Sequence, residues 1–319
     1  MNHRPGKFPS LRELEKAPEV EDPVNRLVHR PLAYLFARAV SPTRISPNQV
    51  TLLAVIVGLM AGVAILIGSR EAMIFGGLAL WASAILDGAD GILARARGTD
   101  SPHGRAIDGL ADAIVALVTV IPAFIHIWEK DRDLFLVALM LPAVISANLH
   151  MSIYDYYKES FLHHTDLERG GEGEEPEVVS ARRRASKAHG RLVWLAMTII
   201  LDPYTRTQFR LIDRLDPGAS REGIRLHPTK ESAAIYREEN RHTMRLFTTL
   251  STAPHAYLMA LAAIFDRLDL YLYARVFLMN GILIVAILLQ RRATRRTNQR
   301  LEALGVIERV ERSSLSLAI

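Results

Sequence analysis

Residues 87–112 read DGADGILARARGTDSPHGRAIDGLAD. Four aspartates, Asp87, Asp90, Asp108 and Asp112, flank a short polar turn. Apolar runs lie outside it, from Ala72 to Leu86 and from Ala113 to Trp128. A carboxylate beside hydrocarbon costs about 2.5–3.5 kcal/mol on insertion scales. Four of them at fixed spacing need a compensating partner, and a divalent cation is the simplest.

The flanking runs decide the fold. The chain has 319 residues, is 50% hydrophobic, and gathers its apolar residues into blocks. Several blocks approach the roughly 20 residues that cross a bilayer as a helix. They predict six spans: Pro47–Gly68, Ala72–Gly98, Pro102–Trp128, Leu134–Tyr157, Thr243–Phe265 and Leu270–Gln290. Ahead of them, residues 24–42 space Val24, Leu27, Val28, Leu32, Leu35, Phe36 and Ala39 at helical intervals. Arg26, His29, Arg30 and Arg38 fill the other side. That pattern suits a helix lying in the membrane interface. The expected fold is an all-α polytopic membrane protein with six transmembrane helices and an N-terminal interfacial amphipathic helix.

The remaining segments read as polar flanks. Residues 1–23 resemble a poorly ordered tail without the apolar core of a signal peptide. Residues 43–157 hold the first four spans and 243–290 the last two, separated by a charged insertion over 158–242. Within it, Leu192–Leu201 is too short to span and reads as interfacial or re-entrant. Residues 291–319 open on the basic cluster RRATRR. Tyr154, Tyr156 and Tyr157 read as an aromatic belt where the fourth span leaves the bilayer. His255, in the fifth span, reads either as a wall of an acceptor pocket or as a packed histidine.

Charge placement gives orientation. The net charge is +5 and there is no cysteine, so disulfides and thiolate metal sites are excluded. Basic residues border the apolar blocks instead of forming one aromatic-studded stripe. No nucleic-acid partner is expected. The connections 129–133 and 266–269 are short and poor in basic residues, whereas the aspartate turn shares its side with the Arg-rich segments. The positive-inside rule places that turn in the cytoplasm.

The second and third spans run antiparallel, so their polar halves lie side by side, each about 15 Å long at 1.5 Å per residue. Asp87, Asp90 and Ala94 share one helix side, with Gly91 and Arg95 beside them. Gly104, Asp108 and Asp112 follow at four-residue steps on the other helix. Two carboxylate pairs can then face one cleft, an oxygen-only ligand set suited to Mg2+ or Mn2+. Gly91, Ala94 and Gly104 remove bulk where the acids converge, leaving space for a ligand against the backbone. Arg95 and Arg105 can neutralise carboxylates or bind phosphate oxygens. Asn48 is a candidate for positioning an aspartate or the nucleotide. Asp100 and Ser101, before Pro102, read as a helix cap.

The pattern Asp87-x-x-Asp90-Gly91-x-x-Ala94-Arg95, eight residues, Gly104-x-x-x-Asp108-x-x-x-Asp112 resembles the signature of the CDP-alcohol phosphotransferases at every defined position. Ser46-Pro47-Asn48-Gln49-Val50-Thr51 is similar to the opening of that family's first membrane helix. The long 158–242 connection departs from the family's usual short one. The resemblance implies transfer of a phosphoalcohol from a CDP-alcohol to an acceptor alcohol, one of the two a lipid, with release of CMP. It implies two Mg2+ or Mn2+ ions held by Asp87, Asp90, Asp108 and Asp112, with Asp112 as general base. It assigns the nucleotide pocket to Gly91, Ala94 and Gly104, and it implies a homodimer among membrane lipids. Two other readings use buried acids: a UbiA-type prenyltransferase, whose acidic motifs sit farther apart, and a divalent-cation transporter, which leaves the fixed spacing unexplained.

Overall fold

The computed structural model describes residues 8–14, 17–99, 102–166, 198, 202–219, 224–226 and 229–309. The chain forms two compact units, Met1–Asn148 with Thr252–Met279, and Leu149–Ser251 with Asn280–Ile319. Among the described residues, five helical segments are long and apolar enough to span a membrane.

In the first unit, a π-helical turn Asn25–His29 leads into α2, Arg30–Val40. In the segment before it, residues 8–14 and 17–23 are not the free tail that its polarity suggests. It carries the short helix α1, Leu11–Leu14, and a 3-10 turn at Pro18–Val20, with Leu14 and Val20 buried. Arg30 explains the packing: its guanidinium pairs with Glu21 and donates to the Leu14 carbonyl at 2.6 Å. Tyr34 adds a bond to the Pro9 carbonyl at 3.1 Å.

The spanning helices begin with α3, Pro47–Ile67. Ser46 and Gln49 form a capping box at its start, and Pro47 fills the first turn, where no N–H is needed. Gly68 ends it at φ 72°, and Ser69 at once caps α4, Arg70–Arg97. A left-handed glycine followed by a capping serine lets the chain reverse within two residues. Helix α5 runs Pro102–Asp131 and α6 runs Leu134–Thr165.

Small residues set the helix spacing, as expected where lipid offers no hydrophobic drive between helices. A Cβ on Gly62 of α3 would lie 1.8 Å from the Val118 carbonyl oxygen of α5. A Cβ on Gly58 would lie 2.9 Å from a Val115 methyl and 3.2 Å from the Ser83 hydroxyl. The Ser83 hydroxyl donates to the Ala54 carbonyl at 2.8 Å.

The predicted fifth span, Thr243–Phe265, is not one helix. It divides between the end of α8, Lys230–Thr248, and α9, Thr252–Ile264. Pro254 is the cause: it has no N–H for the Leu250 carbonyl, and its ring crowds that carbonyl. The Thr248 and Thr249 hydroxyls bond back to Arg245 and Leu246, a local alternative to helix continuation. At 13 residues, α9 is about 20 Å long and too short for a full span. It keeps a place beside α4, where a Cβ on Gly77 would lie 2.5 Å from the Ala260 carbonyl. The last predicted span is realised over Leu268–Ala303 as α10, Leu268–Tyr273, a π-helical turn Ala274–Leu278, and α11, Met279–Ala303.

At the α9–α10 connection, Asp266 binds His126 at 2.7 Å and Lys130 at 2.6 Å. Partial burial alone would raise its carboxyl, but these two partners outweigh that and hold it below the usual range. Its contribution is therefore present above about pH 4 and lost as pH falls through the lowered folded value. The pair is solvent-screened, so Asp266→Asn should cost no more than about 1 kcal/mol at neutral pH. Melting curves of both proteins should converge in acid.

The second unit contains the C-terminal part of α6, α7 (Asp202–Leu215), α8 and most of α11. Strands β1, Ile224–Leu226, and β2, Ile307–Arg309, pair antiparallel. The β pairing was not anticipated from the apolar pattern. Asp216 accepts from Thr294 at 2.7 Å and from Tyr157 at 3.1 Å. Gln290 donates to Asn240 at 2.8 Å, and Asn240 to Thr297 at 2.9 Å. Tyr156 and Tyr157 are thus not an interfacial belt: both are 4% exposed, and Tyr156 bonds the Ala219 carbonyl at 2.7 Å. The reason is length, since α6 continues two turns past Tyr157. Apart from Thr198, Leu192–Leu201 lies outside the described residues.

Candidate active site

Helix α4 presents Asp87 and Asp90 one turn apart, and α5 presents Asp108. One carboxylate oxygen from each of the three lies within 4.8 Å of the others. Asp90 is buried, while Asp87 and Asp108 are half-buried. Asp87 lies within electrostatic reach of Asp90, Asp108 and Asp112. Asp112, one turn further along α5, is exposed and stands outside this trio, within electrostatic reach of Asp87.

The donor set fits a hard divalent cation. Bonds near 2.1 Å place adjacent oxygens about 3 Å apart and opposite ones about 4.2 Å apart. The trio is gathered within 4.8 Å and offers oxygen alone, the donor such an ion takes.

The groups around the trio are polar and close. Arg95 lies one turn from Gly91, and a Cβ on Gly91 would meet only its guanidinium, at 3.4 Å. Arg95 and Asp90 are electrostatically coupled. Ala94 and Gly104 are half-buried on α4 and α5. The Arg105 side chain and Asp100–Ser101 lie outside the described residues. Arg97 binds the Ser41, Thr43 and Ile45 carbonyls at 3.0, 3.1 and 2.5 Å, tying the end of α4 to the segment after α2.

Two positions on α3 change the picture. Asn48 is exposed in its first turn, and among the described residues no hydrogen bond joins it to the aspartates. Thr51, one turn on, instead donates its hydroxyl to Asp90 Oδ2. Thr51 was not singled out from the sequence, although it closes the quoted SPNQVT stretch. The usable signal was spacing: a hydroxyl one turn into an apolar helix needs an acceptor, and its own Pro47 carbonyl at 3.2 Å is a weak one. His255 is 7% exposed and bonded to the Tyr271 hydroxyl at 3.2 Å, the packed reading of that residue.

Residues 44–202 match the family model described as CDP-alcohol phosphatidyltransferase, and the chain belongs to that family. The matched stretch contains α3, α4, α5 and α6, and so all four aspartates. The family's reaction is transfer of a phosphate-containing group from a CDP-alcohol. No curated protein matches the chain.

Proposed function

We propose that the chain transfers a phosphoalcohol group from a CDP-alcohol to an acceptor alcohol, releasing CMP, in phospholipid synthesis at the cytoplasmic face of a membrane. The observation that carries this reading is the trio Asp87, Asp90 and Asp108, within 4.8 Å on two helices, inside the family-matched segment.

Asp87, Asp90 and Asp108 would hold Mg2+ or Mn2+, with Asp112 at the edge of the site completing a second ion's ligands. Bound there, the ions offset pyrophosphate charge and favour attack at phosphorus. Thr51 fixes the Asp90 carboxylate by its hydroxyl, so that one metal-facing oxygen keeps its direction. Arg95 adds positive charge beside Asp90, where a phosphate oxygen can be received. Gly91, Ala94 and Gly104 leave the space for the nucleotide.

Asp112 is exposed, so an acceptor hydroxyl can approach it. It takes the proton as the acceptor oxygen bonds the phosphorus that bears the transferred alcohol. The bond from that phosphorus to the CMP oxygen breaks, and CMP leaves with the electron pair. The exposed leucines and isoleucines of α3 and α5 suit a lipid surround, so one alcohol can enter from the bilayer. The Arg-rich borders of the spans support a cytoplasmic site. A second copy of the chain completes the proposed assembly.

The decisive experiment is a panel of CDP-alcohols and acceptors with CMP release as readout. CMP should appear for a restricted pair and only with Mg2+ or Mn2+. Turnover of a prenyl diphosphate, or metal flux in liposomes without CMP release, would overturn the proposal.

A further inference from the structure

Helix α11, Met279–Ala303, has two unlike sides. Ala286, Gln290, Ala293 and Thr297 are buried against the rest of the second unit. Ile284, Val285, Leu288 and Leu289 are exposed, and they belong to the segment long and apolar enough to span a membrane. This is the side that a span turns to lipid. Continued by steps of three and four residues, the same stripe reaches Arg292, Arg295 and Arg296, all exposed. The lipid-facing side of α11 thus passes from leucine to arginine without changing direction.

Helix geometry sets the depth of these arginines. At 1.5 Å per residue, Arg292 lies about 4.5 Å beyond Leu289 and Arg296 about 10.5 Å beyond it. The headgroup layer on each side of a bilayer is about 5–8 Å thick. Side chains lean toward the N-terminus of their helix, which here is back toward the bilayer. The long arginine stems bring all three guanidinium groups to the level of the lipid phosphates.

The acids of the second unit that reach α11 are engaged elsewhere. Arg300, one turn past Arg296, binds Glu238 and Glu239, each at 2.8 Å. Asp216 accepts from Thr294 and Tyr157. Among the described residues no carboxylate pairs with Arg292, Arg295 or Arg296. Like charges three and four residues apart repel along a helix, so the stripe gains from an anion supplied outside the protein. The guanidinium fork matches a phosphate in shape as well as in charge. A soluble acidic partner would not explain why the arginines continue a lipid-facing stripe.

We propose that Arg292, Arg295 and Arg296 form a docking surface for anionic phospholipids at the point where α11 leaves the bilayer. Their occupant is a lipid whose headgroup keeps a net negative charge, held by its phosphate on the guanidinium groups and by its chains against Leu288 and Leu289. The surface is built on α11 alone, apart from the aspartates, and the inference does not depend on the transfer reaction.

The test is thermal unfolding of the full chain in detergent micelles supplemented with phosphatidylglycerol or with phosphatidylcholine. Phosphatidylglycerol should raise Tm saturably, by about 2–4 °C at ten times the half-saturating mole fraction, and phosphatidylcholine should not. A variant combining Arg292→Gln, Arg295→Gln and Arg296→Gln should lose the response. No rise with phosphatidylglycerol, an equal rise with phosphatidylcholine or with inorganic phosphate, or an equal rise in the triple variant would each overturn the proposal. If the triple variant does not fold, the three single variants decide. Each should raise the half-saturating mole fraction about fivefold, and unchanged values in all three overturn the proposal.

Discussion

Asp112→Asn should lower CMP release by 10²–10⁴-fold, the range typical of a lost general base, while the protein is still recovered folded. The structure gives two reasons to expect this separation. Asp112 is exposed, so the amide is not forced into a close-packed interior. It also stands outside the trio that lies within 4.8 Å, so the ion held there keeps its three carboxylates and the metal dependence should shift less than when a member of the trio is replaced. Asp87→Asn is the contrast: it should raise the half-saturating metal concentration as well as slow the reaction. Rate against metal concentration for both variants measures the difference. An Asp112→Asn enzyme with unchanged turnover would remove the assigned base.

Gly62→Val should abolish recovery of folded protein. A Cβ there would sit 1.8 Å from the Val118 carbonyl oxygen, and backbone cannot yield as a flexible side chain can. Helices α3 and α5 would have to part, and α5 carries Asp108 and Asp112. Gly281→Ala is the matched control, because nothing lies within 4 Å of its added Cβ. Helix propensity alone predicts a small gain there, about 0.5–1 kcal/mol. Size-exclusion profiles of the two detergent-extracted variants should show loss of the folded peak for the first only.

The aspartate constellation was legible because its spacing is short-range. Asp87 and Asp90, like Asp108 and Asp112, are one turn apart on their own helices, and a short turn forces the two helices together. Periodicity and composition alone therefore reached the trio Asp87, Asp90 and Asp108, but not the place of Asp112 outside it. The Thr51–Asp90 bond was not legible, because it joins residues 39 positions apart through the packing of α3 on α4. The fifth span failed for a different reason. Hydropathy sums over Thr243–Phe265 and is blind to one missing N–H at Pro254. The N-terminal segment was read as free because its polarity was counted, whereas Arg30 gathers that polarity into a buried ion pair with Glu21. Tyr156 and Tyr157 were misplaced because an exit from the bilayer and the start of a second packed unit look alike in sequence.

Arg97 has a mechanical consequence. By gripping three carbonyls of the stretch that follows α2, it makes the amphipathic helix and the acidic end of α4 a single lever. Arg97 lies two turns from Asp90 on α4, so a shift of the stretch after α2 is carried toward the acidic trio through one guanidinium.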